Sequence, residues 1–445
     1  MTNADQHYKK MTETPVSKLI LNLGIPTTIS MLITNIYNMA DTYFVGTKGE
    51  SAQAATGVLF TVQAIMQGIA FMMGHGSGTF IARYLADKNT DEATKYVSSA
   101  FFVGGAIGLI ITILGLTFLE PLVRFLGSTE TIVPHAMDYG FWILLAAPCI
   151  ICSLILNNGL RYEGKAFYAM FGLTAGGILN ILGDYVLVSK LDMGVYGAGL
   201  ATAVSQVVSF SILLFMYLKM AQSTISIKAV SKDMKLYMTI ARVGLPSLIR
   251  QGLTSVTNGI LNNLTKPFGD AAIAAMSVVS RYSNFLMCVG LGMGQGFQPV
   301  ASFNYQAKKV DRVKKGLLFT TAFGLVFIGA MSIISIIFAE PIISLFQKNE
   351  EVIRIGATAL RFTAVGMMFM PFSTPVNMLY QSIQQPTISS ILSLIRSGAV
   401  TIPMLLICVP LLGLTGIQIA QPTADVIAGL ISIPFIIRFL KSKEI

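Results

Sequence analysis

Charge is scarce in this chain. Asp, Glu, Lys and Arg make up 12% of the 445 residues, against about 25% in an ordinary soluble protein. A soluble globular domain of this size is therefore excluded. Histidine is nearly absent, with three residues (His7, His75 and His135) that are far apart in sequence. With no nucleophile constellation either, no enzyme and no cofactor are expected. The four cysteines, Cys149, Cys152, Cys288 and Cys408, all fall in apolar segments. Cys149 and Cys152 have CxxC spacing, but no second pair exists to complete a zinc site, so they read as small apolar packers.

Apolar residues are abundant instead. The hydrophobic share is 53% and the mean hydropathy +0.68. Runs of twenty or more apolar residues recur along the whole length, too long and too continuous for barrel strands. The reading is an all-α integral membrane protein with twelve transmembrane helices. They are expected at 17–45, 53–81, 97–119, 135–158, 167–188, 196–218, 238–264, 271–303, 316–338, 354–380, 387–411 and 416–437. The first is read as an uncleaved span, because no small-residue cleavage site follows it. With the N-terminus placed inside, 21 of the 31 Lys and Arg, Lys443 among them, lie in inner segments or at their edges and six in outer ones; four (Arg250, Arg281, Arg361, Arg396) lie well inside spans. This asymmetry predicts both termini in the cytoplasm. It also accounts for the net charge of +10 without a nucleic-acid partner.

The chain repeats itself at an offset of about 220. LGIP at 23–26 recurs as VGLP at 243–246, GHGSG at 74–78 answers GQGFQ at 294–298, and LEP at 119–121 answers AEP at 339–341. Six spans per repeat is an even number, so both halves cross the membrane in the same sense. A parallel pseudo-two-fold is expected, with a cavity between two six-helix lobes. The N-lobe is assigned to 1–219, a cytoplasmic linker to 220–235 and the C-lobe to 236–445. Residues 159–166 (GLRYEGKA) nearly spell a phosphate-binding loop. Ala166 replaces the required hydroxyl and an apolar helix precedes it, so ATP is not expected as an energy source. The glycines of 74–86 are read as close helix packing.

Two spans carry polar stripes. Thr27, Ser30, Thr34, Asn38 and Asp41 share one face of span 1, and Ser247, Gln251, Thr254 and Asn258 share one face of span 7. Their equivalent places in two repeats favour a partly wet cavity over simple helix–helix contact. Three acids fall well inside spans: Asp41, Asp184 and Asp425. Such acids are costly in a bilayer and mark functional sites by default. Asn180 and Asp184, at i and i+4, share a helical face. Apart from Lys18 at the inner edge of span 1, the N-half spans contain no Lys or Arg to neutralise them. The C-half does, so a structural pair with an arginine is the expectation for Asp425.

LGIP (23–26), DTYFVG (41–46), GSGTFIARYLA (76–86), NNGLRYEGKAFYAM (157–170), NILGDYVLV (180–188) and GVYGAGLATAVSQ (194–206) together resemble the multidrug and toxic compound extrusion family, in its DinF-like branch. The resemblance covers nearly the whole chain. It implies a V-shaped pair of lobes in a prokaryotic inner membrane, acting as a monomer. It implies export of organic, mostly cationic, drugs and dyes in exchange for H⁺ or Na⁺ by alternating access. Asp41, Asn180, Asp184 and Thr202 match the cation-linked cluster, the only metal ion implied being Na⁺ there. Tyr139 and Asn157 match lumen-lining positions; Tyr37, Asn38 and Asn258 join them as candidate substrate-lining residues. Pro26 matches a helix-bending position. A flippase for a lipid-linked precursor is the alternative, kept open by the four in-span arginines.

Overall fold

Apolar sequence of this length, in lipid, must satisfy its backbone internally, and helices do so. The computed structural model describes residues 3–442, and no strand occurs among them; Lys443 lies outside the described residues. The N-terminal half runs α1 (Asn3–Glu13), α2 (Val16–Gly46), α3 (Glu50–Ala86), α4 (Thr90–Thr117), α5 (Leu119–Phe125), α6 (Val133–Leu145), α7 (Ala147–Tyr162), α8 (Ala166–Asp184), a π-helical turn (Tyr185–Lys190) and α9 (Gly194–Met220). The second half repeats the order: α10 (Met234–Thr265), α11 (Asp270–Gln306), α12 (Val310–Ile337), α13 (Ala339–Ser344), α14 (Glu350–Met367), α15 (Met370–Ser382), α16 (Pro386–Leu394), a π-turn (Ile395–Ala399), α17 (Thr401–Leu412) and α18 (Leu414–Lys441).

Among the described residues, nine helices are long and apolar enough to cross a membrane, and two bent pairs, each taken as one span, make eleven. The twelfth is α10, whose polar stripe lowers its apolar character. The layout is that of a twelve-helix membrane protein. Spans 4 and 10 differ from the continuous helices expected of them. α6 and α7 meet at 49°, and α14 and α15 at 48°. Pro148 and Pro371 sit in the first turn of the second member of each pair, where proline is tolerated but the preceding helix cannot run on. Short α5 and α13 begin at the repeated LEP and AEP segments, which sequence reading left between spans.

Two compact units emerge. One comprises the chain up to Met11 with Ile25–Gln251; the other comprises Thr12–Gly24 and everything from Gly252. Apart from the break between Met11 and Thr12 in α1, the unit boundaries fall inside α2 and α10, beside Pro26 and about one and a half turns beyond Pro246. Within the first unit, the glycines of α3 let neighbouring helices approach closely. A Cβ on Gly76 would lie 2.2 Å from the Ile240 carbonyl oxygen, and one on Gly78 2.2 Å from the Tyr162 ring. The small-residue reading of this motif is thus met by contact with α10 and α7.

The segment 159–166 is the end of α7 and a turn, with Gly164 at φ +75°. Arg161, in the last turn of α7, is 1% exposed and donates to Asn158. Next to it, buried Glu163 holds the linker. Its carboxylate accepts from the backbone N–H of Gln222 (2.5 Å) and Ser223 (3.1 Å), from the Ser223 hydroxyl, and from Tyr217 Oη (3.3 Å). Burial pushes the Glu163 carboxyl above its usual range, opposed by these bonds. Thr94, Ser98 and Ser99 of α4 bond the next stretch of linker.

Helix α1 packs on the same region. His7 and Met11 lie beside Gly164. Burial, aided by the positive charges of Lys165 and Lys10, lowers the His7 pKa from 6.5 to about 4. The docked helix therefore favours neutral imidazole. Docking is at full strength above pH 6.5 and weakens as pH falls from 6.5 through about 4, by at most about 3 kcal/mol. Hydrogen exchange of residues 3–11, corrected for intrinsic rates, is expected to lose protection between pH 7 and pH 4.5, and His7→Phe to remove that difference. Equal loss in the variant would detach the effect from His7.

Candidate functional site

The acids of the N-terminal half converge. Asp41 lies near the C-terminal end of α2 and Asp184 at the last residue of α8, while Tyr139 lies in the second turn of α6 and Thr202 in the third turn of α9. With α2 and α8 running one way and α6 and α9 the other, the chain brings these four, with Asn180, to one end of the unit. Asp41 is 7% exposed, Tyr139 3%, Asn180 1%, Asp184 0% and Thr202 5%. Tyr139 Oη donates to Asp41 Oδ2 at 2.8 Å, and Asn180 Nδ2 donates to Thr202 Oγ1 at 3.0 Å. Asp41 and Asp184 interact electrostatically, and Tyr139 feels both.

What remains unmet in this cluster is specific. Asp41 Oδ1, Asn180 Oδ1 and both oxygens of Asp184 are buried with no hydrogen-bond partner. Buried polar oxygens are almost always paired, so four together need an explanation. All four are acceptors. Among the described residues no Lys or Arg acts on Asp41 or Asp184, and the buried Arg161 precedes the whole length of α8. Two carboxylates in one poorly hydrated place cannot both stay ionised cheaply, and they titrate as a unit. The donor set suits a proton or a hard cation with oxygen ligands. Among the described residues, no group of three His, Cys, Asp or Glu forms a transition-metal site.

The other expected residues are placed differently. Tyr37 packs over Gly177 of α8, beside the cluster. Asn38 accepts the Thr42 hydroxyl at its carbonyl, while Thr34 and Ser30 return their hydroxyls to carbonyls one turn back. Asn157 lies away from the acids and donates to the Ala169 carbonyl at 3.1 Å. Its repeat partner Asn377 donates in the same way to Ser389 O at 2.7 Å. The shared bond makes this asparagine a staple in both halves. Asn258 is an exposed residue of α10 in the other unit. Of the span 7 stripe, Ser247 shares a hydrogen with His75 Nδ1 at 2.7 Å and Gln251 donates to Gln67 at 3.3 Å. α2 runs unbroken through Pro26, whose carbonyl accepts from Ser30. Sequence reading missed the Tyr139–Asp41 bond and the role of Glu163; an acid directly after a helix and before Gly-Lys was the available signal for the latter.

A duplicated twelve-helix bundle with a buried, uncompensated acidic cluster in one half defines a multi-pass membrane transporter. The family model described as MatE matches residues 26–186 and 246–407, one match per half. The chain belongs to this family, the multidrug and toxic compound extrusion transporters. It is similar to the multidrug export protein MepA of Staphylococcus aureus, 27% identical over 419 residues, 93% of this chain and 92% of that protein. The Staphylococcus saprophyticus counterpart is 26% identical over 429 residues, 96% and 94% of the two chains. Among solved structures, the outward-facing conformation of a MATE family transporter of the MOP superfamily superposes with TM-score 0.91 at 25% identity, covering 99% of this chain and all of that one. A Pyrococcus furiosus MOP superfamily transporter, described as having a binding pocket of reversed polarity, gives TM-score 0.89 at 25% identity, with coverage of 99% and 100%.

Proposed function

We propose that this protein exports organic, mostly cationic amphiphilic compounds in exchange for H⁺ or Na⁺, by alternating access. The observation that carries the reading is the set of four unpartnered buried oxygens on Asp41, Asn180 and Asp184. A protein that spends an acidic cluster this way needs a cation to neutralise it. Exchange follows if the coupling cation and the drug compete for that negative charge, so that the carrier changes face only when one of them is bound. The driving force suffices: one charge across 100 mV supplies about 2.3 kcal/mol, and one pH unit about 1.4. The MepA relatives, multidrug export proteins by name, support the substrate class. On this reading the protein is not an enzyme, needs neither cofactor nor ATP, and works as a monomer in the inner membrane with both termini in the cytoplasm. Its carriers are the N-lobe and C-lobe that the 220-residue repeat defines.

Efflux of a cationic dye from vesicles holding the purified protein, against uptake of a fluorescent lipid-linked pyrophosphate, is the discriminating experiment. Gradient-driven movement of the dye alone is expected; movement of the lipid alone would install the flippase reading.

A further inference from the structure

The two halves differ at a pair of turns that the repeat makes equivalent. In the N-terminal half, the turn after α7 carries Glu163 and Gly164, the latter at φ +75°. Glu163 captures the linker at Gln222 and Ser223, and Met11 and His7 lie against Gly164. The chain's own residues fill that place. In the C-terminal half, 220 residues on, the turn after α15 carries Ile383 and Gln384. Gln384 keeps the left-handed backbone, at φ +60°. The turn is retained and the acid is gone. Among the described residues, a cavity of about 200 Å³ stays open here.

The cavity lies where membrane helices end. α11 stops at Gln306, α12 starts at Val310, α15 stops at Ser382, α16 starts at Pro386 and α18 stops at Lys441. It therefore belongs to a membrane–water boundary rather than to mid-depth. Val310, Ile383, Ile388 and Phe439 form an apolar wall, and Tyr305, Gln385 and Arg438 supply polar groups. Arg438 is exposed, acts electrostatically on buried Tyr380 and forms no ion pair among the described residues. Lys314 Nζ donates to the carbonyl of Ser442, on the cavity rim, at 2.7 Å. The adjoining stretch 308–315 holds five cations against one acid, Asp311. A ligand suited to these surroundings has a negative head and an apolar body. The planar fork of arginine matches phosphate oxygens, and the Gln385 amide and Tyr305 hydroxyl can add donors. One turn beyond Ile388, Ile391 is exposed, so an acyl chain can run out of the cavity along α16. Basic pockets between membrane helices at the cytoplasmic side recognise anionic lipid headgroups by this combination.

We propose that this cavity binds an anionic glycerophospholipid, its phosphodiester on Arg438 and the start of its chain on Ile388 and Phe439. The lipid takes in the C-terminal half the place that the linker takes in the N-terminal half, and it ties the end of α18 to the turns beside it. The inner leaflet follows from the cytoplasmic termini proposed above; the site itself does not depend on what the protein exports. Native mass spectrometry of the detergent-purified protein, titrated with phosphatidylglycerol or phosphatidylcholine, counts bound lipids and gives their affinities. The wild type is expected to hold one phosphatidylglycerol about tenfold more tightly than phosphatidylcholine, and Arg438→Gln to remove that difference, the loss of a charge-assisted bond. Ile388→Trp, which fills the cavity and keeps the arginine, is expected to weaken the same site about tenfold. Lys219→Gln, at the place 219 residues before Arg438, is expected to leave it unchanged. Unchanged phosphatidylglycerol affinity in both variants, with folding checked by circular dichroism, or equal affinity of the wild type for the two lipids, would overturn the assignment. So would displacement of the lipid by millimolar inorganic phosphate, which gives the cavity to free phosphate. Dimers that disappear in both variants would give it instead to a second copy of the chain.

Discussion

Asp184→Asn and Asp41→Asn are each expected to abolish gradient-driven efflux while the protein still inserts and folds. The substitution keeps volume and removes the ionisable group. At Asp184 it also places an amide where both carboxylate oxygens lack donors, so no existing bond is broken. At Asp41 the Tyr139 hydroxyl can still donate to an amide oxygen. What is lost is the charge that a proton or Na⁺ neutralises, and with it the exchange. The expected fall is to background, a loss of about a hundredfold or more, since an intramembrane carboxylate cannot be substituted by its neutral isostere in a charge-exchange step. The control is Asp425→Asn. Its acid is paired with Arg396, and its repeat position carries no acid in the N-half, so coupling is expected to survive there. Equal loss in Asp425→Asn, in a protein of normal expression, would refute the assignment of coupling to the Asp41–Asp184 cluster alone.

The second large effect separates the two ions. A proton needs one carboxylate oxygen, whereas Na⁺ needs about five or six oxygens. Asp41, Asn180, Asp184 and Thr202 offer a set of that kind, helped by backbone or water. If Na⁺ is exchanged, Asn180→Ala and Thr202→Ala each remove a direct ligand and are expected to weaken Na⁺-driven efflux about tenfold or more. If H⁺ is exchanged, the same changes only alter the polar surroundings of Asp184 and shift the pH optimum. The Asn180–Thr202 bond of 3.0 Å makes the two residues one unit, so the double variant is expected to lose little beyond either single one. The measurement is efflux against pH at zero Na⁺ and against Na⁺ at fixed pH. We favour H⁺, because the acids alone suffice for it.

Much of this was legible in the residues. Twenty-residue apolar runs can be little else than spans, and the 220-residue offset fixed the order of the second half. Asp41 and Asp184 stood out because an acid in an apolar run has few structural excuses. Other features depend on packing that sequence does not carry. Pro148 and Pro371 lay inside apolar stretches, where a proline can kink a helix or break it, and only the neighbouring helices decide. Four in-span arginines competed for Asp425. The fold chose Arg396, while Arg361 pairs with Glu340 in an exposed bridge. Asn157 carried no sign that its amide would be consumed by a carbonyl twelve residues on. Nor did the polar stripe of span 1 reveal that most of its hydroxyls bond their own helix.

The central claim is that a cation entering the Asp41–Asp184 cluster drives export. Its most direct test is dye efflux from vesicles holding wild-type protein and, in parallel, Asp184→Asn, with a proton gradient and a Na⁺ gradient imposed separately. The account predicts efflux under the proton gradient in the absence of Na⁺ for the wild type, and none for the variant under either gradient. Wild-type efflux at zero Na⁺ that persists undiminished in Asp184→Asn would contradict it.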